Sequence, residues 1–151
     1  MTGRPGGPGE EGGGIRSRRA PAPVGAYPHA RRAGSLLFLS GIGPRTPGTD
    51  DIPGNATDAA GRVMSYDIVR QTEQVFSNIR TILEDAGSSW DRIVDVTVFL
   101  TDMARDFAAF NQVYARHFTT HQPTRTTVEV GALPTPIAVE LKVIAEIPPA
   151  D

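Results

Sequence analysis

The sequence predicts an α+β domain with elements in the order β-β-α-β-α-β-β. Two long stretches repeat apolar residues every three or four positions. Five shorter runs have extended composition or strict alternation, and Gly/Pro-rich punctuation separates the two kinds. At 151 residues the chain fits one domain built on one core. The first twenty residues, "MTGRPGGPGEEGGGIRSRRA", hold too few apolar groups to offset the entropy of ordering. They read as a disordered Gly/Pro-rich tail in which Arg16, Arg18 and Arg19 are solvated, which leaves 21–151 as the domain.

The domain opens with "HARRAG" and "SLLFLSGI", two extended runs divided by Gly34. Leu36 to Leu39 is apolar on both alternating faces, so both sides of that strand need cover. Residues 43–64 are turn formers without periodicity, the pattern of a functional or a mobile loop. From Ser65 to Ala86, the residues Ile68, Thr72, Val75, Phe76, Ile79, Leu83 and Ala86 mark one helical face, and Gly87 stops the helix. "RIVDVTVFLTD" then alternates, with Val94, Val96, Val98 and Leu100 expected on one face and Ile93, Asp95, Thr97 and Phe99 on the other. A second helix over 104–118 carries an aromatic stripe, Phe107, Phe110, Tyr114 and Phe118, expected in the core.

The last two strands flank "GALPTP". Side-chain parity groups Val139, Leu141 and Val143 on one face of the final strand and Glu140 and Lys142 on the other. In its neighbour, Thr126, Val128 and Val130 form the apolar set, opposed by Arg125, Thr127 and Glu129. On this reading Arg125 and Glu140 share one sheet face. Two helices can cover only the other face, so a neighbouring subunit is expected over the one that carries the charges.

Charge and composition narrow the chemistry. With 15 Lys+Arg against 17 Asp+Glu, the net charge of -2 argues against a dedicated nucleic-acid surface. Cysteine is absent, which excludes disulfides, thiolate metal sites and thiol nucleophiles. His29, His117 and His121 show no metal-ligand spacing, so no metal and no cofactor are expected. His117 and His121 read as surface or helix-capping groups. No apolar run approaches the roughly 18–20 residues that span a bilayer, and the expected location is cytoplasmic. Arg125 suits a substrate carboxylate, which a guanidinium fork holds through two charge-assisted hydrogen bonds; an ordinary ion pair is the alternative. Glu140 suits proton transfer if a partly desolvated cleft raises its pKa; the alternative is an exposed carboxylate paired with Lys142.

In order and spacing, "PVGAYPHARRAG", "LLFLSG", "QTEQVFSNIRTILEDAG", "VDVTVFLTD", "DFAAFNQVYARHF", "PTRTTVEVGALP" and "IAVELKVIAEI" resemble the YjgF/RidA family of reactive-intermediate deaminases over about residues 23 to 147. The resemblance implies a chorismate-mutase-like fold, with helices on one face of a mixed sheet. It also implies a homotrimer with an inner barrel and ligand clefts between subunits. Arg125 then matches the substrate-carboxylate arginine and Glu140 the family's glutamate. Tyr27 and Asn111 match cleft-lining positions, and Ser40 and Gly41 offer small side chains and backbone groups to a ligand. Thr127 replaces a cysteine often found there.

Within the family, "GAYPHARRAG", the long loop bearing Arg45 and "RTTV" resemble the 2-aminomuconate deaminase branch. That branch implies hydrolysis of 2-aminomuconate to 4-oxalocrotonate and ammonia. Such a dicarboxylate needs a second cation, for which His29, Arg31, Arg32 and Arg45 are candidates and Arg45 is favoured. The alternatives are a broad 2-imino acid deaminase and a non-catalytic ligand-binding or chaperone-like trimer.

Overall fold

A computed structural model describes residues 10–11 and 14–149. Seven strands form one sheet in the order β1-β2-β3-β4-β9-β7-β8. They are β1 (Glu10–Glu11), β2 (Gly14–Ile15), β3 (Ala30–Ala33), β4 (Leu36–Leu39), β7 (Ile93–Leu100), β8 (Thr124–Glu129) and β9 (Val139–Glu146). A separate small hairpin pairs β5 (Ala56–Thr57) with β6 (Val63–Ser65). The helices are α1 (Ile68–Asp85) and α2 (Met103–His117). The order expected from the sequence is therefore present from β3 onward, with β1, β2 and the β5–β6 hairpin added. Every neighbouring pair in the large sheet is antiparallel except β7 and β8, which run parallel and are joined through α2.

Local chemistry sets the element ends. Asp67 caps α1 by accepting from the Arg70 amide, and Asp102 caps α2 by accepting from the Arg105 amide. Gly34, at φ 62°, makes the β3–β4 turn, and Gly87, at φ 82°, ends α1. One face of the sheet carries Leu37, Leu39, Val96, Val98, Leu100, Val139, Leu141 and Val143. All are buried with Val75, Phe76, Ile79 and Leu83 of α1 and Phe110 and Val113 of α2. The opposite face has no cover among the described residues. Leu36, Phe38, Phe99 and Ile144 on it are only half-buried, and Val128 is 37% exposed.

Two expectations are corrected here and a third, left open between two readings, is narrowed. The tail was expected to be solvated to residue 20. Part of it lies outside the described residues, but Gly14–Ile15 pairs with β3, Ile15 is buried, and Arg19 forms ion pairs with Glu84 and Asp85 on α1. Strand β7 does not alternate throughout. A bulge between Ile93 and Asp95 turns Ile93 into the core and leaves Val94 half-buried. Residues 43–64 are tied down at several points: the Asn78 amide donates to the Gly43 and Arg45 carbonyls, and Asn55 bonds Pro136 and Gln71.

Candidate active site

Glu140 lies in the middle of β9 on the uncovered face. It is directly opposite Phe99 of β7, which in turn faces Val128 of β8. Its carboxyl group touches Gly41: a Cβ added there would come within 2.9 Å of both Cδ and Oε2. Only glycine lets the chain pass this close. Lys142, expected as a possible partner, instead donates from Nζ to the Leu39 carbonyl at 2.9 Å. Among the described residues Glu140 has no ion pair or hydrogen bond, and burial pushes its pKa above the usual carboxylate range. Ser40 sits beside it in sequence, its hydroxyl donating to the Pro28 carbonyl at 2.7 Å. A solvent-open crevice alongside is lined by Tyr27, Ser40, Gly41, Arg45 and Asn78, with His29 at its wall. Glu140 touches Gly41 but is not among the residues lining that crevice.

Arg125 is placed differently from the expectation. It pairs with Val96, which pairs with Val143, so Arg125 points to the helix-covered face. The shared face inferred from parity is thus overturned: within one chain, Arg125 and Glu140 project from opposite sides of the sheet. The reason lies in β8. At this sheet edge the helix-facing side chains are Arg125 and Thr127, and the more apolar Thr126 and Val128 face outward. An apolar-inward rule therefore gives the wrong answer. Arg125 Nη2 donates to Asn111 Oδ1 at 2.7 Å, joining two of the expected residues. The half-buried Thr127 lies on the same side, its buried hydroxyl without a partner.

Three of the four proposed second cations are engaged elsewhere. His29 is buried; its Nδ1 accepts from the Ser17 amide at 3.0 Å and its Nε2 faces the Pro21 carbonyl at 2.7 Å, leaving neither nitrogen for a ligand. Arg45 is held by Asp50 at 3.0 Å and by the Ala22 carbonyl at 2.5 Å. Arg32 bonds the Gly34 carbonyl, and Arg31 stands exposed on the open face opposite Phe38. His117 is not a simple surface group. It sits between Glu73 at 2.8 Å and Arg80 at 3.1 Å, while His121 contacts the Ile93 carbonyl. Among the described residues no three His, Asp or Glu side chains are grouped to hold a metal.

A family model described as Endoribonuclease L-PSP matches residues 17–147. Protein HMF1 of Saccharomyces cerevisiae is 42% identical over 126 residues, 83% of this chain and 88% of that one. The chain belongs to the YjgF/RidA family. Another relative, the chloroplastic Reactive Intermediate Deaminase A of Arabidopsis thaliana, is 35% identical over 133 residues, 88% of this chain and 65% of its own. Among solved structures, E. coli TdcF with bound serine superimposes at a TM-score of 0.75 and 34% identity, covering 88% of this chain and 97% of that one. The YjgF/RidA fold is thus established here, with two helices on one face of a mixed sheet. The family's names span reactive-intermediate deaminase and endoribonuclease. One relative is chloroplastic, and no described helix is long and apolar enough to cross a membrane.

Proposed function

We propose that this protein hydrolyses a small enamine or imine carboxylate to the oxo acid and ammonia, at a site shared between two copies of the chain. The observation that carries this reading is an unpaired, partly buried carboxyl group at Glu140 beside Gly41. A buried carboxylic acid whose charged form is disfavoured can give its proton to the enamine carbon, forming the iminium ion. The resulting carboxylate takes a proton from water as the water oxygen bonds to the iminium carbon and the C=N electron pair moves to nitrogen. The reprotonated acid then gives that proton to the amino nitrogen, and as the C–N bond breaks to release ammonia the hydroxyl loses its proton back to the carboxylate and becomes the carbonyl. Arg125 supplies the carboxylate grip. Since Arg125 and Glu140 diverge within one chain, the Arg125 edge of one protomer is inferred to meet the Glu140 face of another. That arrangement would also cover Phe38, Phe99 and Ile144, as the homotrimer implied by the family does.

On substrate, the engagement of Arg45, Arg32 and His29 within the chain favours a 2-imino monocarboxylate over 2-aminomuconate, for whose second carboxylate only Arg31 of the four candidates is unengaged among the described residues. The ligand of a similar structure points the same way: TdcF holds serine, a monocarboxylate. The net charge of -2 favours these small anions over RNA.

The test follows ammonia release from an imino acid generated in situ. Arg125→Ala and Glu140→Ala should each be strongly impaired alone, and mixing the two after dissociation and reassembly should restore activity, because some clefts then pair an intact Arg125 with an intact Glu140. Full turnover by either single variant would refute the reading. Failure of the mixture to recover, with reassembly verified, would refute the shared cleft.

A further inference from the structure

Helix α2 does more than cover the sheet. Phe107, Phe110, Asn111 and Tyr114 fall at positions i, i+3, i+4 and i+7, one stripe of its surface. Arg125 lies across this stripe, with Cζ 4.6 Å from the Tyr114 ring centroid, 5.6 Å from Phe110 and 5.8 Å from Phe107. Asn111 Oδ1 takes a guanidinium N–H at 2.7 Å. Among the described residues Arg125 has no acidic partner. Aromatic faces attract a guanidinium without neutralising it, so they can fix its plane while leaving its positive charge for an anion. A stripe serving only the core would be buried throughout, but Phe107 is 38% exposed. The Tyr114 hydroxyl is buried with no hydrogen-bond partner among the described residues, whereas its ring is the aromatic face nearest the guanidinium.

We infer that Tyr114, backed by Phe110 and Phe107, is a positioning residue that holds the Arg125 guanidinium in the orientation that grips the substrate carboxylate. This rests on the deaminase reading above. A long, flexible arginine loses rotamer freedom when it clasps a ligand, and a cradle that restricts it beforehand removes part of that loss. The cradle should therefore act on carboxylate binding and leave the proton chemistry at Glu140 alone.

The test measures pyruvate affinity, as the competitive inhibition constant and by calorimetry, together with KM and kcat for an imino acid. Tyr114→Leu should weaken pyruvate and raise KM about tenfold while kcat moves little. Tyr114→Phe, which keeps the ring, should restore tight binding, and Phe107→Leu, at an exposed ring, should give a smaller loss of the same kind. In an Arg125→Ala background, Tyr114→Leu should have no further effect. Unchanged affinity in both Tyr114→Leu and Phe107→Leu, with Arg125→Ala impaired, would overturn this inference alone. So would an equal loss in Tyr114→Phe, or an undiminished Tyr114→Leu effect without Arg125. Undiminished pyruvate binding by Arg125→Ala would overturn both this inference and the deaminase reading.

Discussion

The surroundings of Glu140 and of Arg125 solve opposite problems. Glu140 is packed against the bare backbone at Gly41 with no partner among the described residues, so burial disfavours its charge and raises its pKa. Arg125 is partly buried too, but against π faces and an amide oxygen, so its environment tolerates the charge and orients it. One environment opposes a charge and the other supports one. The comparison teaches that unpaired charged residues in a sheet need not be alike. What matters is whether the packing opposes the charge or supports it.

The largest expected break in this contrast is at Glu140. Glu140→Ala should lower kcat by about 10²–10⁴-fold, the usual worth of a positioned acid–base group, measured by steady-state ammonia release. Arg125→Ala should act mainly on kcat/KM, by about 10²-fold, as expected for a charge-assisted grip on a carboxylate. Next is Gly41→Ala, whose new methyl must displace the Glu140 carboxyl. A shift on the order of 1 Å should reduce kcat about 10–100-fold with pyruvate affinity retained.

Glu140→Gln should separate stability from activity. Because burial raises its folded-state pKa, the folded chain holds this proton to higher pH than the unfolded chain, which releases it around the ordinary carboxyl range near pH 4. Wild-type stability should therefore decline as pH rises from about 4 through the raised value, whereas the inactive glutamine variant escapes that loss. Thermal melts should show the variant matching wild type in acid and exceeding it at neutral pH. The smallest effect is expected at Thr127, whose buried hydroxyl lacks a partner. Thr127→Val should raise stability by about 1 kcal/mol or less in denaturant titration. A simultaneous loss of pyruvate affinity would instead assign that hydroxyl to the ligand.

Much of this fold was legible because its signals are local. The three- and four-residue spacing from Ile68 to Leu83, the alternation from Val96 to Leu100 and the glycines at 34 and 87 each report backbone geometry within a few residues. The need for cover over Phe38 and Ile144 was also readable, from a strand apolar on both faces. The site was legible only as residue types. Arg125 and Glu140 were nameable, but their shared face was not correct, and His29 and Arg45 looked free although each is already bonded within the chain. The role of the α2 aromatics went unread because an apolar stripe looks the same whether it packs on leucine or on a guanidinium.

The sequence alone determined which segments form the two helices and the five principal strands, and it named Arg125 and Glu140 as the candidates for the proposed imine chemistry. Side-chain spacing and backbone freedom are properties of neighbours along the chain. Only the tertiary structure decided the direction Arg125 faces, the bulge that turns Ile93 inward, and which cations remain unengaged. These depend on strand register and on contacts between distant segments, such as the parallel pairing of β7 with β8 across α2. A one-residue change of register would exchange the two faces without altering a single local preference.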